Sequence, residues 1–177
     1  MMVNYIQYLL TPLFCLFLVA AYAQDQSPSQ DKALSPQATV EGKIGGAKMT
    51  VVYCRPSARG RKMVGVKDPY GQVWRTGANA ATTIEFDRDV LIEGKKLPEG
   101  KYGLFTIPNE KEWVIIFNKV SDQWGAYDYQ ESQDVLRVTV KASRVQKFVE
   151  TFTIRAERDK VGLTWENFYV AFRVKAQ

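Results

Sequence analysis

Arginine is concentrated in two neighbouring stretches, Arg55-Pro56-Ser57-Ala58-Arg59-Gly60-Arg61 and Trp74-Arg75-Thr76-Gly77-Ala78-Asn79, of a chain that contains no histidine. A guanidinium is a planar fork of donors that grips carboxylate or phosphate oxygens two at a time, so each stretch offers an anion a place to sit. Trp74 adds a flat ring and one N–H donor beside Arg75, a pairing suited to a sugar or base that stacks while its acidic group is held. Gly77 is expected to supply a backbone conformation closed to other residues, and Asn79 can cap or bridge. Trp124 and Tyr127 belong to the aromatic, acidic stretch 122–129, which could close one wall of a pocket. The candidate ligand-binding residues are therefore Arg55, Arg59, Arg61, Trp74, Arg75, Asn79, Trp124 and Tyr127.

Each of these has a bland counterpart. The first stretch also reads as a solvated basic loop with one Arg paired to a strand-end carboxylate, since exposure is the ordinary condition of Arg and Lys. Trp74 reads equally as a buried ring under an Arg that ties two loops through carbonyls. Residues 122–129 read as a long connection pinned to the domain by aromatic anchors.

The missing imidazole excludes much chemistry: no Ser-His-Asp triad, no Cys-His pair and no His-ligated zinc. Ser57 lies in no Gly-x-Ser-x-Gly elbow, and no Asp-x-Asp-x-Asp-Gly calcium loop is present. No metal, cofactor or catalytic residue is assigned. The formal charge of +5 is mild and spread along the chain, without an RNA-binding or helix-turn-helix signature, so nucleic acid is not an expected partner.

Residues 1–23 read as a signal peptide: the chain is apolar from Tyr5 to Ala23 and closes on Ala21-Tyr22-Ala23, the small-x-small pattern of a secretory signal, although the n-region lacks Lys and Arg. The expectation is export to the periplasm or cell envelope of a bacterium, or beyond it, with no stable membrane span after cleavage. Retention of the segment as an anchor is the alternative. Residues 24–37 are poor in aromatic and β-branched side chains and read as a disordered linker, leaving 38–177 as one domain. Cys54 then stands alone in an oxidising compartment, where a buried, inert thiol is the leading expectation over a nucleophile activated by Arg55.

Beyond the linker the dominant period is two, interrupted by Gly, Pro, Asn and Asp. Strands are expected at 39–44 and 48–55 around the tight turn Gly45-Gly46, and at 82–87, 90–92, 95–97, 101–107, 113–118, 135–141 and 151–157. In the last segment Leu163 and Trp165 occupy odd positions, whereas Phe168, Val170, Phe172 and Val174 occupy even ones. A bulge near Glu166-Asn167 would reconcile the two sets. Val145, Phe148 and Val149 give the only helical hint. The expected architecture is all-β: an antiparallel β-sandwich, jelly-roll-like, of roughly nine or ten strands.

The succession Tyr53-Cys54-Arg55-Pro56-Ser57, Gly60-Arg61, Val73-Trp74-Arg75-Thr76-Gly77-Ala78-Asn79, Leu97-Pro98-Glu99-Gly100-Lys101-Tyr102, Ile107-Pro108, Trp124-Gly125 and Thr164-Trp165-Glu166 resembles the bacterial domain of unknown function (DUF) 2911 family. Trp-Arg-Thr-Gly-Ala-Asn is the specific element; a Pro-x-Gly turn alone would be weak. The resemblance spans roughly residues 36–174 and implies an exported, mostly β single domain. It brings no activity, substrate or catalytic residue.

Three functions remain in view. The leading one is a non-catalytic envelope or periplasmic module that binds a small anionic or sugar-like ligand. The second is a histidine-free hydrolase or lyase on an anionic carbohydrate, with Arg75 as electrostatic clamp and Glu85, Asp128 or Glu166 as acid or base. In the third, the arginines are internal ties and a sheet face meets a protein partner. Oligomeric state is left open.

Overall fold

The computed structural model describes residues 35–177. The apolar leader and most of the linker lie outside these described residues. The described residues form nine strands: β1 (Gln37–Ile44), β2 (Ala47–Cys54), β3 (Thr82–Phe86), β4 (Val90–Ile92), β5 (Lys95–Leu97), β6 (Gly100–Ile107), β7 (Glu112–Asn118), β8 (Asp134–Ala156) and β9 (Lys160–Ala176). All pair antiparallel in one sheet of order β1-β2-β3-β6-β7-β8-β9-β4-β5. The fold is thus all-β, and the period of two is the cause: one face of each strand is apolar and must be covered. Among the described residues no helix is long and apolar enough to cross a membrane.

The turns behave as their residues dictate. Gly45 and Gly46 take φ of 53° and 98°, the left-handed pair that a two-residue hairpin requires. The end of β9 reaches this turn, where Ala176 N–H donates to Gly45 O. One apolar core, drawing on β1 through β9, fills the enclosed side. Its centre is aromatic: Trp74 stacks on Trp165 at 5.3 Å and meets Phe152 and Trp113 edge-on at 5.0 and 6.1 Å.

β8 is a single long strand rather than two, and it absorbs the region of the helical hint. Val145, Phe148 and Val149 lie in its irregular middle, where the register on β9 slips. Arg144 pairs with Phe168 and Val149 with Glu166, so several β8 residues face a single β9 residue, Asn167. The stretch is carried as strand between flanks that are paired, β7 holding the N-terminal part of β8 and β9 the rest. On β9 the parity changes at Glu166, which has φ of 50° and lets Trp165 and Phe168 both turn inward.

β7 sits mid-sheet and is apolar on both faces. Trp113, Ile115 and Phe117 join the main core, while Ile116 joins Phe105 and Ala81 in a second cluster on the opposite face. Val73, Ala126 and Tyr129 cover that cluster. This second cluster positions the candidate site, since it fastens the 71–81 and 122–129 segments to the outside of β6 and β7. Burying side chains such as Phe105 and Ile116 contributes about 1.5–3 kcal/mol each.

Candidate functional site

The two arginine stretches follow different paths. Residues 55–58 run along β8: Ala58 N–H donates to Glu150 O, Phe152 N–H donates to Pro56 O, and the Ser57 and Thr151 hydroxyls lie 2.8 Å apart. Arg55 is half-buried, with Nε donating to Phe152 O at 3.4 Å and Nη2 to Thr153 Oγ1 at 3.1 Å. It is an internal tie rather than an open fork. Arg61 bends back onto its own turn, donating from Nε to Ala58 O and from Nη2 to Ser57 O, at 3.0 and 3.1 Å. Arg59 is exposed at a left-handed position, and its N–H donates to the Glu150 carboxylate.

Trp74 is 4% exposed, and its Nε1–H donates to Gly77 O at 3.1 Å. Its ring is stacked on Trp165 and meets Phe152 and Trp113 edge-on in the core. The role given to Gly77 changes. The left-handed residues of this loop are Thr76 and Asn79, with φ of 54° and 59°. Gly77 is needed for close approach instead, because a Cβ there would lie 2.9 Å from Cys54 O and 3.0 Å from Thr82 Oγ1.

Arg75, next along, points the other way. It is half-buried, its Nε is fully buried without a hydrogen-bond partner, and its guanidinium makes no hydrogen bond or ion pair among the described residues. It lines a small hollow of about 140 Å³ together with Asp68, Gln72, Trp74 and Ala126. Asp68 shares the hollow without touching Arg75 closely enough to form an ion pair, and no donor reaches its carboxylate among the described residues. Burial pushes the Asp68 carboxyl up to about 6; Arg75 and Arg61 pull it down, and Glu166 adds to the rise. A guanidinium and a carboxyl group thus line one hollow without pairing with each other, and polar groups so placed are served by water or by a ligand.

The 122–129 loop forms the outer wall. Ala81 N–H donates to Gln123 O, Ala80 bridges Trp124, and a Cβ built on Gly125 would lie 3.7 Å from Arg75 Nη1. The loop is rooted by Tyr129, whose hydroxyl donates to Asp134 and accepts from Arg137, and by Asn118, which donates to Gln130 O and Asp134. Burial, then the bond to Asp134, pushes the Tyr129 hydroxyl up to about 12. Trp124 and Tyr127 are not the anchors: they are 64% and 81% exposed. Asn79 is exposed on the adjoining loop.

The structure therefore brings Arg75, Asn79, Trp124 and Tyr127 to one outer edge, with an edge of the buried Trp74 lining the Arg75 hollow from within, and leaves Arg55, Arg59 and Arg61 elsewhere. Of the carboxylates suggested as acid or base, Glu85 is exposed on β3 opposite Lys101, and Asp128 is exposed in the outer loop. Glu166 is buried, with Oε1 and Oε2 accepting from Met63 and Val64 N–H at 2.7 and 3.1 Å. Sequence reasoning missed Asp68; nothing in Lys67-Asp68-Pro69 marks it except an acid in an otherwise basic segment. Cys54 is half-buried rather than buried, because it shares the outer face with Thr50 and Val52, and it lines an open hollow with Lys101 and Asp122.

The family described as Protein of unknown function (DUF2911) matches residues 35–174. The chain belongs to that family. No curated protein and no solved structure matches it. In this DUF2911 protein the family match covers both arginine stretches, the Asp68 loop and the 122–129 wall.

A buried acid held above its ordinary value is a liability at neutral pH. The native state keeps the Asp68 proton more tightly than the unfolded chain does, so the stability due to the neutral acid is complete below pH about 4 and is lost as pH rises through about 6. Asp68→Asn is expected to raise stability at pH 7 by about 1–2 kcal/mol, after allowance for partial exposure, and to flatten the stability profile between pH 4 and 7. Urea melts at several pH values measure it. A mutant profile parallel to the wild type would show that Asp68 does not titrate there.

Proposed function

We propose that this protein is an exported, non-catalytic module that binds a small anionic, sugar-like ligand at the Arg75 edge. The observation that carries the reading is the Arg75 guanidinium, without an ion pair among the described residues, lining the same hollow as Asp68. A hollow of about 140 Å³ takes only the end group of a ligand: an acidic oxygen against Arg75 and a hydroxyl that donates to Asp68. The rest of the molecule would lie outside, against the exposed rings of Trp124 and Tyr127, as sugar faces do on aromatic platforms. Export rests on the apolar leader and its Ala-x-Ala end. N-terminal sequencing of the protein recovered from a cell-envelope fraction checks it, and an intact Met1 in that fraction would overturn cleavage.

Calorimetric titration with uronic acids, acidic disaccharides, nucleotides and dicarboxylates tests the binding reading, with thermal shift as a second readout. Arg75→Ala is expected to weaken binding about 10- to 100-fold, since charge-assisted hydrogen bonds contribute about 1.5–3 kcal/mol. Melting should hardly change, because the guanidinium ties nothing inside the protein. Arg75→Lys should fall between the two, keeping charge but not the fork. No heat and no thermal shift across the panel, or an Arg75→Ala protein that unfolds, would sink the proposal.

A further inference from the structure

A second hollow, of about 440 Å³, lies away from Arg75, where the irregular middle of β8 and the kink of β9 meet the 60–62 turn. Its walls combine cations with aromatic surface: Arg61, Lys62 and Arg144 together with Phe148 and Phe168. The slipped register explains this composition. Between the Arg144–Phe168 and Val149–Glu166 pairs β8 must bow outward, and Phe148 is left 47% exposed instead of facing a core. Asn167 holds the bow by donating from Nδ2 to Val145 O at 3.1 Å.

The charges do not cancel locally. Lys62 and Arg144 form no ion pair among the described residues; Arg144 instead lays its guanidinium over the Phe168 ring, 3.8 Å from the centroid. The two carboxylates at the hollow are already engaged by main-chain amides: Glu166 by Met63 and Val64, Glu150 by Arg59. A guanidinium stacked flat on a ring presents its other face and its edge N–H groups outward, which suits a planar anion that stacks on it and bonds to its rim. The volume lies in the range of small-molecule sites.

We propose that this hollow is a second binding site, separate from the Arg75 edge, for a planar aromatic carboxylate, whose ring lies between Phe148 and the Arg144–Phe168 stack and whose carboxylate meets Lys62 and Arg144. The polar, sugar-like ligand of the Arg75 edge has no aromatic ring for this site, and the aromatic acid has no hydroxyl for Asp68. The two sites are therefore distinguishable by ligand and by mutation.

The test is a titration of the purified protein with 2-naphthoate and, in parallel, with the uncharged 2-naphthalenemethanol, read by calorimetry and by amide NMR shifts. The expected result is saturable binding of naphthoate with shifts at residues 60–62 and 144–148, and binding of the alcohol at least tenfold weaker. Arg144→Glu and Lys62→Glu should each weaken naphthoate at least tenfold, Glu150→Gln should tighten it, and Arg75→Ala should leave it unchanged. Lys62 is exposed, so Lys62→Glu keeps the test valid if Arg144→Glu disturbs the Phe168 stack. Equal affinity for acid and alcohol, an unchanged Lys62→Glu protein, or no saturable shift at these residues would overturn the proposal. Loss of naphthoate binding in Arg75→Ala alone would assign the ligand to the other edge and overturn it equally.

Discussion

Trp74→Ala is expected to destabilise the protein by about 3–5 kcal/mol, a large share of the roughly 5–15 kcal/mol that holds a domain of this size. The ring is almost wholly buried and touches Trp113, Phe152 and Trp165, so its removal opens a cavity lined by three aromatic side chains that cannot collapse together. Its Nε1–H also closes the loop onto Gly77 O, and without that donor a buried carbonyl loses its partner. Trp74→Phe keeps most of the volume and should cost less. Equilibrium urea unfolding measures both. Near wild-type stability with lost ligand affinity would restore Trp74 as a binding surface and remove it from the core's accounting.

Glu166→Ala should cost about 2–4 kcal/mol. The two carboxylate oxygens accept from consecutive amides, Met63 and Val64, in residues that are themselves buried, and alanine leaves both donors without a partner. Each orphaned buried N–H costs about 1–3 kcal/mol. Part of that is offset, because the variant no longer buries a charge. Glu166→Gln keeps one acceptor and should cost about half as much. Glu166→Gly relieves the left-handed φ of 50° but removes both acceptors, so it should still be less stable than wild type. Hydrogen exchange gives the sharper reading: the Met63 and Val64 amides should lose protection in Glu166→Ala more than those of β6 and β7 do. Unchanged protection at those two amides would mean that the carboxylate does not hold the loop.

These two residues also show what chain order hides. Trp74 and Glu166 were both eligible for a functional role by type and neighbours, and both turn out to serve the fold, because their partners are remote. Glu166 meets amides about a hundred positions earlier, and Arg55 meets Phe152 and Thr153 across a similar separation. No window of sequence contains both ends of such a bond. Asp68 went unnoticed for the complementary reason: its character comes from burial beside Arg75, and burial is a property of the packed chain.

What the sequence by itself determined was the strand pattern. Alternation placed β1 to β3 and the two ends of β8, since a strand with one covered face repeats every second residue whatever its neighbours are, while turn residues bounded β4 to β7. Gly45-Gly46 placed the first turn, and the odd-to-even change along β9 placed the kink at Glu166. The irregular middle of β8 at residues 145–149 belongs to the tertiary side, where the register slips against β9. So does the fate of each arginine. The chain dictates that a guanidinium will seek oxygens, but only the approach of distant strands decided that Arg55 finds them in Phe152 and Thr153 while Arg75 finds none. The physical reason is range: strand propensity and turn geometry act over a few bonds, whereas the partners of a long, charged side chain are set by whichever segments the finished sheet brings beside it.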